Sequence, residues 1–132
     1  MSKYIRTTDR KVKGIGDYLR GLVKQAKNGH LEAQLLRDIK AVGLPIPEIQ
    51  YRWHPERLFR ADYAYPDIKL LIEVDGGTWA KMGHSRGSGI EKDRIKDAEA
   101  LMLGFKTLRV TGTMVMDGKA IGYLEKIFKG YK

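Results

Sequence analysis

An α+β fold, a mixed four-stranded sheet flanked by helices in the order α-α-β-β-β-α-β-α, is what this 132-residue sequence predicts. Three observations carry the prediction. Two stripes of helical period come first, followed by three segments of strand character with turn residues between them. A helix-then-strand unit comes next, so the fourth strand enters by a crossover and runs parallel to its sheet neighbour. A last amphipathic stripe closes the chain.

Residues 2–10 read as a frayed arm. Ile15, Leu19, Leu22, Val23 and Ala26 then form one face of a helix that Asn28-Gly29 ends. A second helix is expected from about His30 to Val42, with Leu31, Leu35, Leu36, Ile39 and Val42 apolar and Gly43 as its C-terminal cap. Pro45 and Pro47 impose a connection. Ile49, Tyr51 and Trp53 alternate with polar neighbours, as in a strand. Residues 54–57 read as a turn, 58–65 as a second strand, and Pro66-Asp67 as a reversal into 69–75, the most apolar strand and a central one. The glycine-rich stretch 76–90 lets backbone approach a ligand closely. A helix over about 91–103 presents Ile95, Ala98 and Met102 on one face and ends at Gly104, before a fourth strand at 105–110. Asp117-Gly118 turns into a helix with Ala120, Ile121, Leu124, Ile127 and Phe128 inward.

The whole of 1–132 reads as a single domain, with 1–28 a basic arm and helix. Hydrophobic residues make up 42%, enough for a core, and no apolar run approaches the roughly 20 residues that span a bilayer. No apolar region follows the basic start, so no secretory signal is read. Cysteine is absent, which excludes disulfides, thiolate zinc sites and thiol nucleophiles. These features suit a cytoplasmic, nucleoid-associated protein. The net charge of +9 is uneven: residues 1–30 hold eight basic side chains against Asp9 and Asp17, a net +6. A basic arm on a nearly balanced body points to a polyanion partner, most often nucleic acid.

Against that background "IEVDGG" (72–77) places Glu73 and Asp75 on one side of a strand. If the Pro66-Asp67 reversal sets Tyr65 opposite Leu70, Asp62 falls opposite Glu73 on the same face, with Asp75 one step further along. Directly opposed like charges are destabilising unless a cation lies between them. Glu32 borders the apolar face of its helix and can lean over the sheet. Three or four hard oxygen donors in one place suit Mg²⁺, with Mn²⁺ able to substitute. Such an ion polarises a phosphoryl oxygen and activates water.

The segments "RADYAYP" and "LLIEVDGG", followed by "DRIKDAEALMLGFKTLRVT", resemble the PD-(D/E)XK nuclease superfamily. The nearest branch holds very-short-patch-repair-like endonucleases and small Holliday-junction resolvases. The resemblance covers about residues 30–128. It implies a restriction-endonuclease-like fold and metal-dependent hydrolysis of DNA, with Asp62 as the first-motif aspartate, Glu73 as the second-motif acid and Glu32 as the acid of the preceding helix. The motif lysine two residues after the second acid is Asp75 here. Three readings follow: Asp75 is a further ligand or a general base; Lys96 or Lys92 reaches in from the following helix, Lys96 being preferred because it adjoins Ile95; or His84 acts as base or phosphate contact.

Trp79, Lys81, His84 and Arg86 on the glycine-rich stretch, with Arg60, Lys92 and Lys11, Lys13 and Arg20 of the arm, are candidate DNA contacts. Trp79 serves equally well as a packing anchor. The expected substrate is branched DNA such as a junction, cut by a homodimer because two strands need two sites. Nicking at a mismatch or short sequence, and DNA binding without catalysis, are the alternatives.

Overall fold

A computed structural model describes residues 5–6, 29–76 and 88–130. Its elements are β1 (Ile5–Arg6), α1 (Gly29–Ala41), β2 (Pro45–Ile46), β3 (Glu48–Arg52), β4 (Arg60–Tyr65), a 3₁₀ turn (Pro66–Ile68), β5 (Leu70–Asp75), α2 (Ser88–Met102), β6 (Lys106–Thr111), α3 (Gly112–Met116) and α4 (Lys119–Phe128). The main sheet has the order β3-β4-β5-β6. β3, β4 and β5 form an antiparallel meander, and β6 lies parallel to β5. The mixed four-stranded sheet flanked by helices is the predicted architecture. The helix read over 15–26 and the glycine-rich stretch at 77–87 lie outside the described residues.

Local chemistry explains the boundaries. At the end of α1, Gly43 takes a φ of 78°, and Leu44 N–H reaches back to the carbonyl of Ile39 at 3.1 Å. That is the six-to-one closure of a helix terminus that needs a left-handed residue, and glycine adopts it without a Cβ clash. Gly104 repeats it after α2, with a φ of 85° and Phe105 N–H on the carbonyl of Ala100 at 2.8 Å. Between β4 and β5 the 3₁₀ turn sets Tyr65 opposite Leu70, as the proline position requires.

Successive residues of β5 serve two layers in turn. Leu70, Ile72 and Val74 join Leu35, Leu36 and Ile39 of α1, Tyr63 and Tyr65 of β4, and Leu124 of α4 in one core. Leu71 joins Trp53, Ala61, Ala64, Ala100 and Phe105 in a smaller core on α2. Among the described residues, no helix is long and apolar enough to cross a membrane.

Several expectations are corrected. Ile5–Arg6, read as frayed arm, pairs with Pro45–Ile46, read as connection. The strand read from residue 58 begins at Arg60, because Leu58 stands exposed and Trp53 N–H reaches the carbonyl of Phe59 across the turn. α3 was not foreseen; its start is marked by Thr111, whose hydroxyl accepts the N–H of Met114 at 3.2 Å. Ile127, read as inward, is exposed, and the apolar Val42 at the end of α1 is exposed as well.

The largest correction concerns α2. Ile95, Ala98 and Met102 face solvent, Met102 at 76% exposure, while Lys96, Asp97, Glu99 and Ala100 turn toward the sheet. The reason lies in the sheet. The surface that α2 covers carries Glu73 and Arg109, so the helix meets it with a largely polar face; of its described residues only Ala100 joins the apolar cluster, with Leu103 just beyond the helix. Met102→Lys is therefore expected to change unfolding free energy by less than about 0.5 kcal/mol. Ala100→Leu, at a 2% exposed position, should cost about 1–3 kcal/mol by overpacking. Urea unfolding of the two variants checks this orientation, and the opposite ranking would restore the apolar-face reading.

Candidate metal and nucleic-acid site

The site forms where the β4–β5 ladder stops. Tyr63↔Ile72 is the last of its paired positions, and the next position would set Asp62 against Glu73. Instead of closing another rung, Asp62 Oδ2 accepts the backbone N–H of Val74 at 2.7 Å. The sequence register is thus right, but the two acids do not face each other as a cross-strand pair. One carboxylate is built into the strand edge, and its second oxygen, Oδ1, points toward Gln50 of β3.

Glu73 is reached from α2. Lys96 Nζ lies 3.4 Å from Glu73 Oε2 and also 3.4 Å from the carbonyl of Arg60. The Lys96 ammonium stands 5.9 Å from the centre of the Phe59 ring, which itself packs on Trp53. Lys96 is held on the inward face of α2, not through Ile95, which is exposed. One turn on, His54 fastens α2 to the end of β3. Its Nδ1 accepts the backbone N–H groups of Glu56 and Arg57 at 3.0 and 2.9 Å, so Nε2 carries the proton and donates to Glu99 at 2.7 Å. Lys92, the other candidate lysine, is exposed.

Glu32 enters from the opposite layer. It lies in the first turn of α1 and is only 3% exposed, and its own backbone carbonyl is fixed by the Tyr63 hydroxyl at 2.6 Å. Its carboxylate meets the side-chain amide of Gln50 at 3.3 Å, and the same amide nitrogen lies 3.5 Å from Asp62 Oδ1. Gln50 was not a sequence candidate. No signal in the sequence marked it beyond its place as the polar residue between Ile49 and Tyr51, which pack into the two different cores on either side of the kink at Gln50.

Burial, then the charge of Asp62, pushes the Glu32 carboxyl up to about 7 against a hydrogen bond from Gln50. Burial likewise raises Glu73 to about 7, against the pull of Lys96. Burial raises Asp62 as well, opposed by the Val74 N–H. Each group ionises reluctantly because it is withdrawn from water beside other acids. Among the described residues, no three histidine, cysteine or acidic side chains are gathered closely enough to hold a metal ion by themselves. Mg²⁺ asks for fewer protein donors than that, since it keeps several waters and takes one or two carboxylates. Neighbouring buried acids with raised pKa values are also the groups that a divalent cation would relieve.

A pH dependence follows. Glu32 and Glu73 hold protons in the folded chain up to about pH 7 but lose them near 4.5 when unfolded. The folded state binds more protons across that window, so stability should fall as pH rises through it, by at most about 1.4 kcal/mol per pH unit and group. Urea unfolding in EDTA at pH 5 and pH 8 measures this. A gain in stability toward pH 8 would contradict it, and Mg²⁺ should reduce the loss.

Asp75, two residues after Glu73, is engaged elsewhere. Its carboxylate lies 3.6 Å from Arg109 of β6, which also holds Asp97 of α2 at 2.7 Å. Arg109, in parallel register with Glu73, was not a sequence candidate either, although it is the one charged residue inside "TLRV". Arg60 is exposed at the start of β4, beside the site. Lys11, Lys13, Arg20, Trp79, Lys81, His84 and Arg86 lie outside the described residues.

Comparison with known proteins leaves the family open. No family model matches the chain, and no solved structure matches it. Two proteins described only as uncharacterized, from two strains of Mycobacterium tuberculosis, are each 32% identical over 65 residues, or 48% of this chain. The chain covers 22% of the length of each of these relatives.

Proposed function

We propose that this protein is a metal-dependent endodeoxyribonuclease of the PD-(D/E)XK type, with branched or duplex DNA as substrate. The observation that carries the reading is that Asp62 bears by its charge on both Glu32 and Glu73, acids from three elements withdrawn from water, with Lys96 3.4 Å from Glu73. A chain of net charge +9 that buries acids in one place has a use for them in phosphodiester chemistry.

Asp62 and Glu73, aided by Glu32, would hold Mg²⁺ or Mn²⁺. When bound, the cation supplies a Lewis acid for a phosphoryl oxygen and a water of lowered pKa. Lys96 takes the part of the lysine that Asp75 replaces in the motif. Its ammonium, beside Glu73, orients water by donating a hydrogen bond and offsets negative charge as it builds on the phosphate. Asp75 acts through Arg109, helping to keep that guanidinium beside Glu73. Exposed Arg60 and Lys92 contact DNA phosphates and so fix position without selecting bases. Cutting both strands takes two such sites, so a homodimer is expected.

The test is one panel of junction, flap, duplex and single-stranded DNA, with an RNA control, in Mg²⁺, Mn²⁺ and EDTA. Cleavage that needs the metal and favours the junction supports the reading in full. Cleavage at one short sequence whatever the branching would identify a nicking enzyme. Binding in EDTA with no cleavage of any substrate would reduce the protein to a DNA-binding relative of the fold.

A further inference from the structure

We infer that Gln50 is a positioning residue of the acidic site, its amide bridging Glu32 and Asp62 when no cation lies between them. The inference rests on the metal-dependent reading above and adds a residue outside its sequence motif.

Backbone and side chain argue together. In the β3–β4 register Ile49↔Tyr63 and Tyr51↔Ala61 are paired, while Gln50, which would face Asp62, is passed over. Its φ is 50°, in the left-handed region that residues with a Cβ enter at a cost. Glycine or asparagine would serve a plain kink better. What glycine cannot supply is the side chain, whose Nε2 lies 3.3 Å from Glu32 Oε1 and 3.5 Å from Asp62 Oδ1. Only one orientation of the amide suits two carboxylates, with the NH₂ group toward both and its partial positive charge between them. Both contacts are long for hydrogen bonds, so the amide is readily displaced.

The residue type fits this position better than its alternatives. A lysine or arginine would compete with a divalent cation. A third carboxylate would add repulsion whenever the cation is absent. Glutamine is neutral and carries a hard oxygen on the same carbon as its NH₂, so a half-turn exchanges a donor for an acceptor. It can therefore face two bare carboxylates or a cation-loaded site.

Full-length Gln50→Gly and Gln50→Glu, beside wild type, test this by thermal melting in EDTA at pH 8 and by Mn²⁺ titration calorimetry. Gln50→Gly tolerates the positive φ but leaves no amide oxygen to turn toward the cation, and should bind Mn²⁺ about 10- to 100-fold more weakly. Gln50→Glu should melt several degrees below wild type in EDTA and recover when Mn²⁺ is added, because its extra charge is borne only with a cation present. A glycine variant with wild-type Mn²⁺ affinity, or a glutamate variant that melts like wild type in EDTA, overturns the assignment. Wild-type protein that binds Mn²⁺ yet cleaves no nucleic acid would sink the nuclease reading and leave the role of Gln50 standing. Wild-type protein that binds no Mn²⁺ would overturn both.

Discussion

Glu73→Gln is expected to lower Mg²⁺-dependent cleavage by at least about a hundredfold while leaving the protein no less stable than wild type in EDTA at pH 8. The size of the loss is that of removing one group that stabilises charge at a reaction centre. Glutamine keeps the shape of the side chain and an oxygen for Lys96, so folding has little reason to suffer. Stability should if anything rise, since the wild-type carboxyl is pushed up to about 7 by burial and is ionised at pH 8 against that penalty. Groups retained despite such a penalty are commonly functional, and relieving them exchanges activity for stability. Asp62→Asn should lose activity equally, but with less gain in stability, because Asp62 also accepts the Val74 N–H that would otherwise extend the ladder. Cleavage rates and melting curves on the same preparations decide it. A Glu73→Gln protein that cleaves at the wild-type rate would falsify the ligand assignment.

Lys96→Met should reduce cleavage by about 10²–10³-fold, whereas Lys92→Met should change it only a few-fold. The contrast follows from position. Lys96 lies on the inward face of α2 with its ammonium 3.4 Å from Glu73, and Lys92 is an exposed side chain one turn earlier. Methionine keeps most of the aliphatic stem over Phe59 and removes the charge. In EDTA the variant should be destabilised, because Glu73 loses its nearest cation; Mn²⁺ should restore stability without restoring cleavage. That split separates a role in the reaction from a purely structural one. Equal effects at the two lysines, or recovery of both properties with Mn²⁺, would count against Lys96 as the replacement for the motif lysine.

By itself the sequence determined what its local rules reach. Proline and aspartate between two apolar runs set one hairpin register, Tyr65 opposite Leu70, which brought Asp62 and Glu73 to the end of the same ladder. Gly43 and Gly104 stop helices where a left-handed residue is required, and helical period marked the apolar face of α1. Period misled at α2, where the covered surface is charged and the apolar side of the helix turns outward. Only the tertiary structure decided what each acid touches. Gln50 meets Glu32 across 18 positions of the chain, and Lys96 meets Glu73 across 23. Arg109 draws Asp75 toward β6, although Asp75 lies only two residues after Glu73 on the same strand. These contacts join separate elements, so they depend on how two packed layers meet at a strand edge. The periodicity and turn chemistry of any single segment carry no record of that meeting.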